Sequence, residues 1–188
     1  MNTNKELNFW NQKIVYDITK FTTTDYVGYI SCIIWFIGCN FRCLYCYNDN
    51  IVYTKRGKYD FKEIFQFLKS RVGLLDSVVL SGGEATIHNL IPLCKEIKEL
   101  GFKIKLDTNG SNFEQIKKLV ELNLIDYIAI DFKSPKDKFK DLVNSCVYDT
   151  IIKTIQYLIN IDFDFELRTT VNTKLLDENR SEEHTSEL

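Results

Sequence analysis

The feature that most constrains the fold is a regular alternation of short apolar runs with amphipathic segments. The runs are rich in β-branched and aromatic residues and predict strands, whereas apolar residues at helical spacing predict helices. Strands are expected at 29–36, 77–80, 103–106, 127–130 and 163–171. Helices are expected at 61–72, 90–100, 113–122 and 147–160. Five βα-type units in a row predict an α/β fold, in which helices flank a parallel sheet.

Polar motifs follow the predicted strands. A long loop at 37–59 contains three cysteines, and the next three strands end in 81–84 (SGGE), 107–110 (DTNG) and 131–133 (DFK). Parallel α/β sheets and barrels bind ligands at the carboxyl ends of their strands, so one site is expected there. Arg168 lies within the fifth strand, where a charged side chain turned into a barrel would need a partner.

The three clustered cysteines predict a metal centre. Cys39, Cys43 and Cys46 have the spacing C-x3-C-x2-C, and thiolates suit zinc and iron–sulfur clusters equally well. A closed zinc site needs a fourth protein ligand, and none follows at zinc-ribbon spacing. A [4Fe–4S] cluster on three cysteines leaves one iron open for a cofactor. Cys32, Cys94 and Cys146 are expected to be small structural residues.

Composition excludes several classes of protein. Hydrophobic residues make up 45% and charged residues 27% of the 188 residues, which is ordinary for a globular protein. A formal net charge of −2 does not indicate the strongly basic surface of a nucleic-acid-binding protein. No apolar run reaches the length of a membrane span. The N-terminus lacks the apolar stretch of a signal peptide, so a cytoplasmic location is expected.

The last nine residues, 180–188, read like a translated sequencing adapter. We therefore expect one native domain at 1–179 followed by a non-native tail. On this interpretation the chain is truncated at its C-terminus, and a final strand is missing. An exposed last edge strand is prone to aggregation, so the fragment is expected to be poorly soluble.

The cysteine loop, GCNFRCLYCYN at 38–48, resembles the signature of radical S-adenosylmethionine (SAM) enzymes. The resemblance implies a partial (β/α)6 barrel of parallel strands, here truncated. It also implies a [4Fe–4S] cluster on Cys39, Cys43 and Cys46 that reductively cleaves SAM to a 5′-deoxyadenosyl radical. Tyr45 matches the aromatic position before the last cysteine.

The resemblance extends to the motifs at the strand ends. It implies that the cofactor is contacted by Tyr45, Gly82, Gly83, Glu84, Asp107, Asn109, Asp131, Lys133 and Arg168. The GGE carboxylate would accept hydrogen bonds from the methionine ammonium group. The two aspartates would lie near a monovalent cation beside SAM, and the lysine and arginine would reach the SAM carboxylate.

Residues 20–171 are similar to the anaerobic ribonucleoside-triphosphate reductase-activating proteins. By this resemblance, the partners are the reductase, which receives a glycyl radical, and a flavodoxin- or ferredoxin-type electron donor. Val27, Tyr47 and Ala85 depart from the usual Pro, His and Pro. Three alternatives stay open. They are a small-molecule radical SAM enzyme such as a 7-carboxy-7-deazaguanine synthase, a peptide-modifying enzyme with an auxiliary-cluster domain, and a non-catalytic metal-binding module.

Overall fold

A computed structural model describes residues 9–170 of the chain. Its strands form one sheet in the order β1-β2-β3-β4-β5-β6, with bounds Val15–Thr22, Ser31–Phe36, Ser77–Gly82, Lys103–Thr108, Tyr127–Asp131 and Phe165–Arg168. Strand β1 is antiparallel to β2, and every later neighbour is parallel. The predicted parallel α/β sheet is therefore confirmed.

Helices connect the parallel strands. They are α1 to α6, with bounds Asp49–Tyr53, Phe61–Lys69, Ile91–Glu99, Phe113–Glu121, Lys136–Val143 and Tyr148–Asn160. A short 3-10 turn, Ala85–Ile87, follows β3. Helix α2 begins at a capping box, in which Glu63 N donates to Asp60 Oδ1 and Asp60 N donates to Glu63 Oε2, as predicted.

One strand and two α-helices of the structure were not predicted. Strand β1 is a sheet edge in which only Val15 is fully buried, and its sequence lacks a clear apolar alternation. The loop predicted at 37–59 contains helix α1, which has five residues, of which two are buried. Helix α5 has only Phe139, Leu142 and Val143 buried among charged residues. Short or largely exposed elements carry weak periodic signals.

The two faces of the sheet differ in chemistry. Alternate strand residues, such as Ile34, Leu80 and Leu106, are fully buried against the helices in the main core. The opposite face has a small aromatic and aliphatic cluster around Tyr26, Ile33 and Val79 near one end of the sheet, with Trp35 and Tyr127 packed against it. Because side chains alternate along a strand, the same face carries the polar residues of β3 to β6.

Within residues 9–170, every helix is too short or too polar to cross a membrane. The predicted tail at 180–188 and the boundary near Asn179 lie outside the described residues. Strand β6 begins two residues later than predicted and ends at Arg168, and residue 171 is also outside the described part.

Candidate active site

A cavity of about 520 Å³ opens at the carboxyl ends of β3, β4 and β5, beside the cysteine loop (residues 39–46). Of the twelve predicted site residues, eleven line it: Cys39, Cys43, Tyr45, Cys46, Gly82, Gly83, Glu84, Asp107, Asn109, Asp131 and Lys133. Arg168 is not among the lining residues but contacts two of them. Residues from four separate segments of the sequence therefore meet at one site.

The thiols of the cysteine loop differ in exposure. Cys39 and Cys43 are partly buried, and Cys46 is exposed. Burial is the main cause that raises the pKa of the Cys39 thiol to about 11. The hydrogen bond of 3.3 Å that Phe41 N donates to the sulfur opposes this rise, and Glu84 and the other two cysteines add to it. Burial also raises the pKa of Cys43, against the lowering effect of Lys133. All three cysteines line the same cavity as the strand-end motifs.

The donor set suits an iron–sulfur cluster in its chemistry. Three thiol donors lie on one loop beside a cavity large enough for a ligand next to them. Within residues 9–170, no three Cys, His, Asp or Glu side chains are arranged to hold a single metal ion. A cluster would bind each thiolate through a different iron, so the three sulfur atoms need not converge on one point.

Backbone hydrogen bonds attach the second half of the cysteine loop to helix α5. Arg42 N donates to Val143 O at 2.9 Å, and Leu44 N donates to Leu142 O at 3.0 Å. The hydroxyl of Tyr45 donates to Lys133 O at 2.9 Å, and burial raises the pKa of this phenol. In this structure Tyr45 therefore holds the loop against the end of β5.

The two glycines of the GGE motif allow the backbone after β3 to pack directly against the backbone at Phe36 and Gly38. A Cβ on Gly83 would lie 1.9 Å from Gly38 O, and one on Gly82 would lie 2.3 Å from Phe36 O. Gly82 also has a φ of +126°, which other residues rarely adopt. The sequence suggested close approach to a ligand, but the closest groups are the backbone atoms that lead into the cysteine loop.

Glu84 is almost fully buried and links two strand ends. Its Oε1 accepts hydrogen bonds from Thr86 N, Thr86 Oγ1 and Thr108 Oγ1 at 3.1, 2.6 and 2.7 Å. Its Oε2 accepts from Asn109 N at 2.6 Å. Burial raises the pKa of this carboxyl, and the four donors oppose that effect. Most of its acceptor capacity is used within the protein, which makes Glu84 a structural tie as well as a lining residue.

Glu84→Gln is expected to lower the free energy of unfolding by about 1–2 kcal/mol, because a buried donor loses its acceptor. Whichever way the new amide turns, its NH2 group faces one backbone N–H, that of Asn109 or of Thr86. Removing a buried charge offsets part of this cost. Urea denaturation would measure the change, with the exposed Glu99→Gln as the control. Equal stability of the two variants would show that the four bonds contribute little.

A row of charges crosses the ends of β4, β5 and β6. Arg168 Nε lies 3.1 Å from Asp131 Oδ1, and Arg168 Nη1 lies 3.6 Å from Asp107 Oδ1. Lys133 Nζ contacts Asp131 Oδ2 at 3.0 Å. The resemblance implied a monovalent cation near the two aspartates, and in this structure the guanidinium of Arg168 contacts both of them. Arg168 is therefore turned to the face of the sheet that carries the site.

Asp107 is the unusual member of this row. Its Oδ1 is buried and makes no hydrogen bond, although Lys105 Nζ is 3.8 Å away. Burial raises the pKa of Asp107, while Arg168 and Lys105 lower it. Sequence reasoning missed Lys105, although its position two residues before Asp107 places it on the same face of β4. Lys105 also contacts Glu166 Oε1 at 3.1 Å.

Other residues have supporting roles. His88 was assigned no role, and its Nε2 lies 2.7 Å from Ile37 O, immediately before the loop. Burial lowers the pKa of this imidazole, which favours the neutral ring donating to the carbonyl. Cys32 and Cys94 are buried in the core, as expected. Cys146, which was also expected to be a small structural residue, is exposed.

Comparisons with known proteins agree with this site. The sequence profile of the Radical SAM superfamily matches residues 33–188. A Methanocaldococcus jannaschii protein named as a glycyl-radical enzyme activating enzyme is 34% identical over 172 residues, covering 88% of this chain and 71% of the relative. The pyruvate formate-lyase-activating enzyme of Streptococcus mutans is 30% identical over 162 residues, covering 79% of this chain and 61% of that enzyme.

The solved structure of anSMEcpe with bound AdoMet has a TM-score of 0.65 over 80% of this chain and 45% of that chain, at 18% identity. At this identity the similarity concerns the fold, and with the superfamily match it confirms the predicted partial barrel.

Proposed function

The chain belongs to the radical SAM superfamily, and from that premise we propose that it installs a glycyl radical on an anaerobic ribonucleoside-triphosphate reductase. Enzymes of this superfamily use a [4Fe–4S] cluster and SAM. In our proposal, Cys39, Cys43 and Cys46 hold the cluster, and SAM occupies the adjoining cavity. When bound, these groups supply one-electron reductive cleavage of the sulfonium, which yields a 5′-deoxyadenosyl radical.

The observation that carries this proposal is the convergence of the cysteine loop with the three strand-end motifs on one cavity. The amino-acid end of SAM carries an ammonium and a carboxylate group. Lys133 and Asp131 form an ion pair at the cavity wall, and such a pair complements a zwitterion. Asp107 Oδ1 accepts no hydrogen bond and has Arg168 Nη1 and Lys105 Nζ at 3.6 and 3.8 Å, and in our proposal the Asp107 carboxylate adds negative charge to the cavity wall beside the cationic groups of SAM. These residues bind and orient the cofactor in our proposal.

The rim of the cavity favours a protein as the radical acceptor. Leu44, Tyr47 and Tyr53 line it, and they are 72%, 93% and 65% exposed. Large apolar side chains exposed together around a cavity are typical of surfaces that bind other proteins. The M. jannaschii and S. mutans relatives are named as activators of enzymes, which supports a protein substrate. The reductase, the electron donor and the cytoplasmic location are parts of the proposal.

Anaerobic reconstitution with iron and sulfide tests the chemistry first. The reduced wild type is expected to convert SAM to 5′-deoxyadenosine, and Cys43→Ala is expected to lose both cluster and product. Cys146→Ala is the matched control, because this cysteine is exposed and does not line the cavity. A wild type that holds zinc and forms no deoxyadenosine would leave only a metal-binding module.

The second stage tests the acceptor. Adding anaerobic ribonucleoside-triphosphate reductase is expected to give a glycyl-radical signal in electron paramagnetic resonance (EPR) spectra. Deoxyadenosine without that signal would contradict reductase activation. A radical on pyruvate formate-lyase, on a peptide or on a deazaguanine precursor would then identify the other classes of radical SAM enzyme.

Tyr47→Ser is expected to weaken binding of the protein substrate roughly tenfold, because an exposed aromatic anchor is lost. Deoxyadenosine formation without the partner should change less than partner binding, since Tyr47 is 93% exposed at the rim of the cavity. Titration of the glycyl-radical signal against partner concentration would measure the effect. Phe21→Ser is the control, because Phe21 lies on β1 near the opposite end of the sheet. Equal titrations for both variants would exclude Tyr47 from the interface.

A further inference from the structure

A side-chain bridge connects the first half of the cysteine loop to the loop after β4. Asn109 Nδ2 donates to Asn40 Oδ1 at 2.9 Å, and Asn40 Nδ2 donates to Ser111 Oγ at 2.7 Å. Asn40 follows Cys39 directly. Both polar atoms of its amide are therefore bonded to a segment about seventy residues away in sequence.

The far side of the bridge is itself fixed. Asn109 is 5% exposed, its Oδ1 accepts from Ser111 N at 3.0 Å, and its backbone N–H donates to Glu84 Oε2 at 2.6 Å. Glu84 in turn binds Thr108 and Thr86. The amide of Asn40 thus ends a chain of hydrogen bonds that joins the cysteine loop, the end of β3 and the end of β4.

The two halves of the cysteine loop are held differently. Backbone bonds from Arg42 and Leu44 attach the second half to helix α5, and substitution of Asn40 leaves these bonds in place. Between Cys39 and Cys43, Asn40 is the residue whose side chain reaches the strand-end loops. Asn40 does not line the cavity, so its influence on the site must pass through Asn109 or through the cysteine loop.

We propose that Asn40 is a positioning residue whose amide bridge sets the place of Cys39 relative to the cofactor cavity. The inference rests on the proposed function, because it assigns the bridge a purpose in aligning cluster and SAM. A rigid link between the two sites is what a reaction between two bound groups requires, since a displacement of about 1 Å costs much of the rate.

The test uses the full chain with four variants. Asn40→Ala removes both bonds, and Ser111→Ala removes one of them. In Asn40→Asp, the carboxylate can still accept from Asn109 Nδ2 and from the Ser111 hydroxyl, so it restores the geometry. Asn160→Ala is the control, because Asn160 is exposed at the end of α6.

Hydrogen exchange of the backbone amides at 39–41, in the half of the loop that Asn40 attaches, is the first measurement. Asn40→Ala is expected to exchange roughly tenfold faster than the wild type, about the effect of one lost hydrogen bond, and Ser111→Ala less. Asn40→Asp and Asn160→Ala should match the wild type. This readout needs no enzyme activity, so it decides on the bridge even if the wild type fails to cleave SAM. That failure would count against the proposed function alone.

The second measurement separates positioning from general destabilisation. Reconstituted Asn40→Ala is expected to bind as much iron as the wild type, because its three cysteines remain. Its KM for SAM should rise about tenfold, and Asn40→Asp should restore it. Asn40→Ala combined with Asn109→Ala should be no worse than the more severe single variant. An exchange rate or a KM in Asn40→Ala equal to that of Asn160→Ala would overturn the proposal.

Discussion

Gly83→Ala is expected to lower the free energy of unfolding by about 3 kcal/mol or more, which is the range for severe overpacking against rigid groups. The new Cβ would lie 1.9 Å from Gly38 O and 2.7 Å from Gly38 C, so the backbone itself would have to move. Gly38 O also accepts the hydrogen bond from Glu84 N at 2.9 Å. The displaced residue precedes Cys39, so iron binding should fall as well.

Thermal unfolding of the iron-free protein would measure this effect, as a fall in Tm of roughly 6–12 °C for a chain of this size. Gly73→Ala is the matched control. A Cβ at Gly73 meets nothing within 4 Å, and its φ of +79° costs only about 1 kcal/mol in an alanine. If both variants had the same Tm, the close approach of Gly83 to Gly38 would not govern stability at this site.

The fold was predictable where elements are long and buried on one side. Strand β4 and helices α2, α3 and α4 lie within one to three residues of their predicted bounds, because burial of one face imposes a clear period. Strand β1 was missed because only Val15 is fully buried and the strand lacks a clear apolar alternation. Helices α1 and α5 were missed because each is short or mostly exposed. For such elements, tertiary contacts rather than local pattern determine the structure.

The cavity was predictable because its residues lie in recognisable motifs at strand ends. What the sequence could not show is how each group is used. The glycines of the GGE motif accommodate protein backbone, and the buried Glu84 receives four internal hydrogen bonds. The Asn40 bridge joins residues about seventy positions apart in sequence, and such a pairing depends on how the loops meet in the fold, which spacing alone does not reveal. The contact of Lys105 with Asp107 follows from the alternation of side chains along β4 and was open to sequence reasoning.

Asp107→Asn is expected to reduce SAM cleavage about a hundredfold, because a cationic group of the cofactor would lose a charge-assisted partner of roughly 3 kcal/mol. The same change is expected to stabilise the iron-free protein at pH 7 by on the order of 1 kcal/mol, as is common for strained residues of active sites. Asp107 Oδ1 is buried without a hydrogen bond, and burial raises the pKa of this carboxyl. Folding therefore disfavours its ionised form.

The pH dependence follows from the direction of that shift. A carboxyl whose pKa is raised on folding contributes stability that is complete below its unfolded pKa of about 3.9 and is lost as the pH rises through the folded value. Asparagine does not titrate, so the advantage of Asp107→Asn should be present at pH 7 and should vanish as the pH falls towards 4. Urea denaturation at a series of pH values would measure it.

Asp131→Asn is the matched comparison for Asp107→Asn, because it also replaces a carboxylate by an amide. The Asp131 carboxylate has two close cationic partners, Arg168 at 3.1 Å and Lys133 at 3.0 Å. Asp131→Asn should therefore lose stability at pH 7 instead of gaining it. Arg168 and Lys105 keep Asp131 and Glu166 as partners in Asp107→Asn, so that variant leaves no cation without one. A gain in stability for both variants, or a gain for Asp107→Asn that persists at pH 4, would show that burial of the Asp107 charge is not its source. Full SAM cleavage by Asp107→Asn would remove this carboxylate from the proposed cofactor site.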